Sequence, residues 1–159
     1  MPPTSRAPSA PVDVGPLAER IGYMLRRAHM AVFDQGNEAF GEINLRPAQY
    51  GILLFLAHAP GRNQGDVGAA LGIQRSNFVG LIKGLDHRKL VRRSRGPDDR
   101  RLLALHLTKR GKALLRDAKK IDAKLDRRFK KKLGRGGREK LLELLTKLAE
   151  PDTGLAPLV

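Results

Sequence analysis

Between Asn63 and Leu85 the apolar residues fall into two short helical patterns hinged on one glycine. Val67, Ala70 and Leu71 give the first pattern its inner face. Asn63 stands where a side chain caps the first turn, with Asp66 three residues on as an imperfect capping-box partner. Gly72 follows where a left-handed stop is needed. Gln74 then opens a second helix, in which Phe78, Leu81, Ile82 and Leu85 recur at i, i+3, i+4 and i+7. Two helices this short, joined this tightly, must each bury one face against other elements and leave the other face outside.

The outer face of the second helix carries Ser76, Gly80, Lys83 and His87, with Gln74, Arg75 and Asn77 crowding its N-terminal end. Such side chains pair with base edges and phosphates, and a helix N-terminus itself favours phosphate. The pattern reads as a helix-turn-helix with Gly72 at the turn. Gly80 and Gly84 each cost about 1 kcal/mol in a helix interior. They fit either a close approach of backbone to DNA or small surface residues without a task.

What flanks the pair is helical before it and mixed after it. Leu17, Ile21, Met24, Leu25, Ala28 and Val32 follow helical spacing, and Gly36 and Gly41 are expected to loosen that helix. Pro47 suits a first helical position. The helix it opens, through Ala57, is apolar on nearly every side and is expected to be deeply buried, ending before Pro60-Gly61. Two strands, Val91 to Arg95 and Leu102 to Leu107, surround Gly96-Pro97-Asp98-Asp99 as a hairpin. Leu103, Leu105 and Leu107 are expected to share its inner side. Thr108 can cap a long helix through Leu133, Gly134-Arg135-Gly136-Gly137 breaks it, and a last helix carries Leu141, Leu142, Leu144, Leu145 and Leu148. The fold class expected is mainly α with a small β-hairpin wing.

Charge sharpens the functional reading. The chain has 159 residues and a formal net charge of +15. Residues 1–60 hold five basic and five acidic side chains, residues 61–108 ten and four, and residues 109–140 fifteen and four. A surplus sorted in this way marks a basic face for a polyanion. The hairpin is its densest part. Arg88, Lys89, Arg92, Arg93, Arg95, Arg100 and Arg101 stand against Asp98 and Asp99. An arginine at a narrow hairpin tip suits a DNA minor groove, and Asp99 can orient Arg101, two residues on.

The stretch LRPAQYGILLFLAHAPGRNQGDVGAALGIQRSNFVGLIKGLDHRKLVRRSRGPDDRRLLALHLTKRGKALL resembles the core of the MarR family of transcriptional regulators, and with its flanking helices the resemblance spans roughly residues 17–150. The helix-turn-helix, the Asp-Asp-Arg-Arg hairpin and the closing Leu-Thr-Lys-Arg-Gly agree in order and spacing. Two departures stand out: Arg46 where a small hydroxyl cap is usual, and Gly80 and Gly84 in place of polar or basic residues. The resemblance implies a homodimer whose terminal helices interlock and whose two winged lobes straddle a pseudo-palindromic double-stranded DNA. It implies that Arg75, Ser76 and Asn77 read the major groove, that Asp99 stiffens the wing and that Arg101 enters the minor groove. The whole set expected at DNA is Gln74, Arg75, Ser76, Asn77, Lys83, Arg93, Arg95, Arg100 and Arg101.

The resemblance also implies repression relieved by a small ligand seated between the first helix and the winged lobe. Tyr23, Arg26, Arg27, His29, Phe33 and Tyr50 are the residues expected there. An anionic ligand, an aromatic acid or its coenzyme A thioester, suits the arginines, which could equally cap a dimer seam. The expected division is a Pro-rich disordered arm over 1–16, one domain over 17–150 and a tail over 151–159. Within the domain, the winged helix-turn-helix spans about 45–108 and dimerisation helices span about 17–40 and 109–150. Leucines at both ends of the chain, more than one small lobe can cover, support the dimer independently.

Other classes fit less well. The four histidines fall on different elements without zinc-helix spacing, so neither a metal site nor a cofactor is expected, and no convergent set of acids, bases or nucleophiles suggests an enzyme. There is no cysteine, which excludes disulfides and thiol chemistry. The longest apolar run, Ile52 to Ala57, is far too short for a bilayer, so no membrane partner is expected and a cytoplasmic location is. A sequence-blind architectural DNA-binding protein without an effector is the alternative reading.

Overall fold

The computed structural model describes residues 13–95 and 103–150. A 3-10 turn, Gly15–Glu19, leads into α1, Ile21–Gly41, so Gly15 and Pro16, expected in the N-terminal arm, belong to this turn. Four further helices and a hairpin follow before the last helix. They are α2 Pro47–His58, α3 Gln64–Ala70, α4 Arg75–His87, β1 Val91–Arg95, β2 Leu103–Leu107 and α5 Lys109–Leu133, and α6 Gly137–Ala149 closes the order. Residues 1–12 of the expected arm, residues 96–102 between the two strands and the 151–159 tail lie outside the described residues.

One core binds the lobe. Ile52, Leu53 and Leu56 of α2 meet Val67 of α3, Phe78, Ile82 and Leu85 of α4, and Leu90, Val91 and Leu105 of the hairpin, all essentially excluded from solvent. Leu115 and Ala118 bring α5 into the same cluster. Burying a side chain of this size is worth about 1.5–3 kcal/mol relative to leaving it exposed, which fixes the inward face of α4 and so the outward one.

Local chemistry sets the ends of these elements. Asn63 caps α3 by accepting from the Asp66 amide at 3.0 Å, and its Nδ2 donates to the Asp66 carboxylate at 2.9 Å. Gly72 takes φ 62°, a left-handed conformation open to glycine without steric cost, and the Ile73 amide turns back to the Gly68 carbonyl at 2.9 Å. Lys89 adopts the same hand at the end of α4, where the Leu90 amide reaches the Leu85 carbonyl at 2.9 Å. Thr108 caps α5 by accepting from the Gly111 amide at 2.9 Å, and its hydroxyl donates to the Lys89 carbonyl at 2.7 Å.

Three expectations need correcting. Gly36 and Gly41 do not loosen α1, which runs unbroken to Gly41. Gly36 is buried instead, and a Cβ there would lie 3.1 Å from the Pro47 ring, so its lack of a side chain lets α2 approach α1. Helix α2 is not buried all round: Leu54 is 39% exposed, on the stripe that also carries exposed Ala57 and His58. The hairpin does not alternate as its leucines suggest. Leu103 is 41% exposed while Ala104 is buried. The cause is a third strand-like segment: Asn63 bridges Ala104, the Leu105 amide donates to the Arg62 carbonyl, and the Gly61 amide donates to the Leu105 carbonyl, both at 2.9 Å. That segment covers Ala104, and Leu103 lies beyond it towards the hairpin tip.

Candidate nucleic-acid interface and effector cavity

With Phe78, Ile82 and Leu85 inside, α4 presents Arg75, Ser76, Asn77, Gly80, Lys83 and His87 to solvent. Gln74, its N-terminal flanking residue, is exposed as well. Ser76, Asn77 and Gly80 face Asn44, Arg46 and Gln49 across a groove of about 800 Å3, so the outer face of α4 and the start of α2 border one surface. The two glycines have different surroundings. A Cβ on Gly80 would meet nothing within 4 Å, whereas one on Gly84 would lie 3.2 Å from Nε2 of the buried Gln49. Gly84 therefore serves the packing of α4 on α2.

The hairpin stands beside α4. Its strands are antiparallel, pairing Val91 with Leu107, Arg93 with Leu105 and Arg95 with Leu103. Arg92 and Arg93 are exposed. Arg93 reaches back to Asp86 of α4, Nε to Oδ2 at 3.6 Å, and Ser94 hydrogen-bonds across the sheet to His106 at 2.9 Å. Arg95 ends β1, whereas Asp99, Arg100 and Arg101 lie outside the described residues. Arg88, counted by sequence among the hairpin cations, does a different job. Its guanidinium donates to the carbonyls of Ile43 and Asn44, tying the end of α4 to the α1–α2 turn.

A second cavity, of about 620 Å3, opens between α1, α2, α5 and the start of α6. Three residues expected around an effector, His29, Phe33 and Tyr50, line it. Tyr23, Arg26 and Arg27 do not. Arg27 instead donates to the Tyr23 hydroxyl at 3.1 Å, with its guanidinium 5.9 Å from that ring. His29 stacks on Phe33 at 5.6 Å, and Phe40 on Tyr50 at 4.8 Å. Sequence reasoning missed the polar part of the cavity. The Tyr50 hydroxyl donates to Asp122 Oδ2 at 3.0 Å, and burial first, then the Asp122 charge, push that phenol far above its ordinary range. Asp126, one turn along α5, accepts from Arg138 Nε of α6 at 2.5 Å and pairs with Lys130 at 3.2 Å. The hydrogen bond from Arg138 is the largest influence holding the Asp126 carboxyl below the usual range. The available signal was Asp122 and Asp126 at i and i+4, two carboxylates on one face of a predominantly basic helix.

The ends of the chain remain uncovered. Leu17, Ile21, Met24 and Leu25 are exposed, as are Leu141, Leu142, Leu144, Leu145 and Leu148, and α6 has no buried residue. Among the described residues no three His, Asp or Glu side chains are placed to hold a metal, and no helix is long and apolar enough to cross a membrane.

Known proteins share this arrangement. The profile of the MarR family matches residues 43–102, from the α1–α2 turn to just before β2. A protein assigned to transcriptional regulation of the hcr operon in Thauera aromatica is 30% identical over 140 residues, 87% of this chain and 84% of that protein. The transcriptional repressor CouR bound to a 23-mer DNA duplex matches with a TM-score of 0.83 and 40% identity, over 89% of this chain and all of that one. CouR bound to p-coumaroyl-CoA matches with a TM-score of 0.81 and 38% identity, over 88% of this chain and 99% of the other.

Proposed function

The chain belongs to the MarR family of DNA-binding transcriptional regulators, and from that premise we propose a repressor that leaves its operator when an aromatic acid or its coenzyme A thioester binds. The observation that carries this reading is the likeness, at about 40% identity over a whole chain, to a repressor solved both on DNA and with an aromatic acyl thioester. The outward face of α4 supports it. Gln74, Arg75, Ser76 and Asn77 enter the major groove, while Lys83, Arg93, Arg95 and Arg100 meet phosphates. Arg101 enters the minor groove, oriented by Asp99.

The working unit is a homodimer on a pseudo-palindrome, with half-site centres about one helical turn apart. The winged lobe spans about 45–108, and the helices over 17–40 and 109–150, with their exposed leucines, meet a second copy. His29, Phe33 and Tyr50 belong to the effector cavity. The protein acts on DNA in the cytoplasm.

Fluorescence polarisation on its own promoter DNA and on scrambled DNA, at one stated salt concentration, tests the reading. The expected result is a preference for the promoter of at least about 1,000-fold, abolished by an aromatic acid or its thioester. Equal affinity for both DNAs, untouched by either ligand, would leave the architectural alternative standing instead.

A further inference from the structure

The effector cavity has an orientation built into it. Phe33, Val32, Leu125 and Phe129 supply apolar walls, which Phe40 and Tyr50, stacked on each other, complete. An aromatic ring fits such walls by area and by ring packing. The polar groups are unevenly committed. Asp126 is taken up by Arg138 and Lys130. Asp122 accepts one bond, from Tyr50 on Oδ2, and a carboxylate has capacity for more. The Tyr50 donation also fixes how that carboxylate is turned.

A ligand carboxylate placed against Asp122 would meet a like charge, whereas Arg138, a cation lining the same cavity, is already paired with Asp126. The other cation of the cavity lies one turn away. Lys119, one turn before Asp122 on α5, lines this cavity and also an adjoining groove between α2, the base of the hairpin and α5. Arg92, Lys112 and Arg116 line that groove too. Anionic groups are therefore favoured towards Lys119 and that groove, and a hydrogen-bond donor at Asp122.

We infer that Asp122 reads a ring hydroxyl: the cavity takes a hydroxyaromatic acyl group ring first, with the hydroxyl donating to Asp122 and the anionic end of a thioester lying towards Lys119 and the basic groove. Tyr50 is a positioning residue, holding the Asp122 carboxylate in its receiving orientation. This inference rests on the ligand-released repressor proposed above and narrows its ligand class.

The test uses two thioesters that differ by one hydroxyl, p-coumaroyl-CoA and cinnamoyl-CoA, with free p-coumarate as a third ligand. Affinity is read by calorimetry and DNA release by fluorescence polarisation, on the full-length protein. The hydroxylated thioester is expected to bind about 10- to 100-fold more tightly than its partner, as one hydrogen bond to a charged acceptor provides. Free p-coumarate is expected to bind at least about tenfold more weakly than its thioester. Asp122→Ala should bring the two thioesters to within about threefold of each other, chiefly by weakening the hydroxylated one. Asp122→Asn, which keeps the size and an acceptor, should retain part of the preference. Equal binding of both thioesters by the unaltered protein, or a preference that survives Asp122→Ala, overturns the inference while leaving the repressor reading intact. If none of the three ligands binds or releases DNA, the effector reading falls and takes this inference with it.

Discussion

Gly111 lies directly against the carbonyl of Leu90: a Cβ built on it would collide with that oxygen. The contact joins the first turn of α5 to the chain between α4 and β1. Thr108 reinforces the joint, because its amide also donates to the Leu90 carbonyl, at 3.1 Å. The lobe that carries α4 and the helix α5 are thus fastened here as well as through Leu115 and Ala118 in the core. Gly111→Ala should cost about 3 kcal/mol, at the upper end of overpacking penalties, and should weaken promoter binding by displacing the hairpin from α5. Urea unfolding with unaltered stability would show that the joint yields.

Thr108 serves the same joint through its hydroxyl. Thr108→Ala removes the cap on the Gly111 amide and the bond to Lys89, and should cost about 1–2 kcal/mol. Thr108→Ser should recover most of it. If serine is as harmful as alanine in thermal melts, the methyl group and not the hydroxyl carries the stability.

The two glycines of α4 should respond differently. Gly80→Ala is expected to raise stability by about 0.5–1 kcal/mol, since alanine is the better helix former and its Cβ meets nothing. Gly84→Ala should gain less or lose, because Gln49 must give way. Chemical denaturation of both variants decides this, and equal gains would mean that Gln49 moves freely.

The wing offers a test of sign. Asp99→Ala removes a negative charge, so simple charge counting predicts tighter DNA binding; an orienting role for Asp99 predicts weaker binding. Arg101→Ala should weaken binding to all sequences and reduce the salt slope by about one counterion. Titrations in which Asp99→Ala binds as well as the unaltered protein would remove the orienting role.

The exposed leucines predict the oligomeric state. Leu141→Asp together with Leu145→Asp should give a monomer at micromolar concentration, with promoter affinity lowered at least about 100-fold by loss of the second half-site. Analytical ultracentrifugation reads the first outcome and polarisation the second. A doubly substituted protein that still sediments as a dimer would move the interface away from α6.

How much of this was written locally can be seen residue by residue. The spacing of Phe78, Ile82 and Leu85, the cap at Asn63, the left-handed turn at Gly72 and the cap at Thr108 all depend on neighbours a few positions away, and each was legible. What escaped depends on distant partners. The inversion of Leu103 and Ala104 comes from strand pairing with Asn63. Gly36 looked like a weak point in α1 because its partner, Pro47, sits on another helix. Arg88 looked like part of a DNA-facing cluster until the carbonyls of Ile43 and Asn44 claimed it. In the cavity, Tyr50 and Asp122 are 72 residues apart, and nothing near either one announces the other.

Gly80 has a consequence for how such a protein changes its targets. It lies on the outward face of α4, amid residues facing the groove, with open space where a side chain would be. A substitution there adds a contact to whatever lies opposite without disturbing Phe78, Ile82 or Leu85. Most residues that could alter base preference already carry a side chain, so changing them exchanges one interaction for another. Position 80 is an unwritten character: a duplicated copy of this gene could acquire a new address by filling it, in a single mutational step and with its fold left alone.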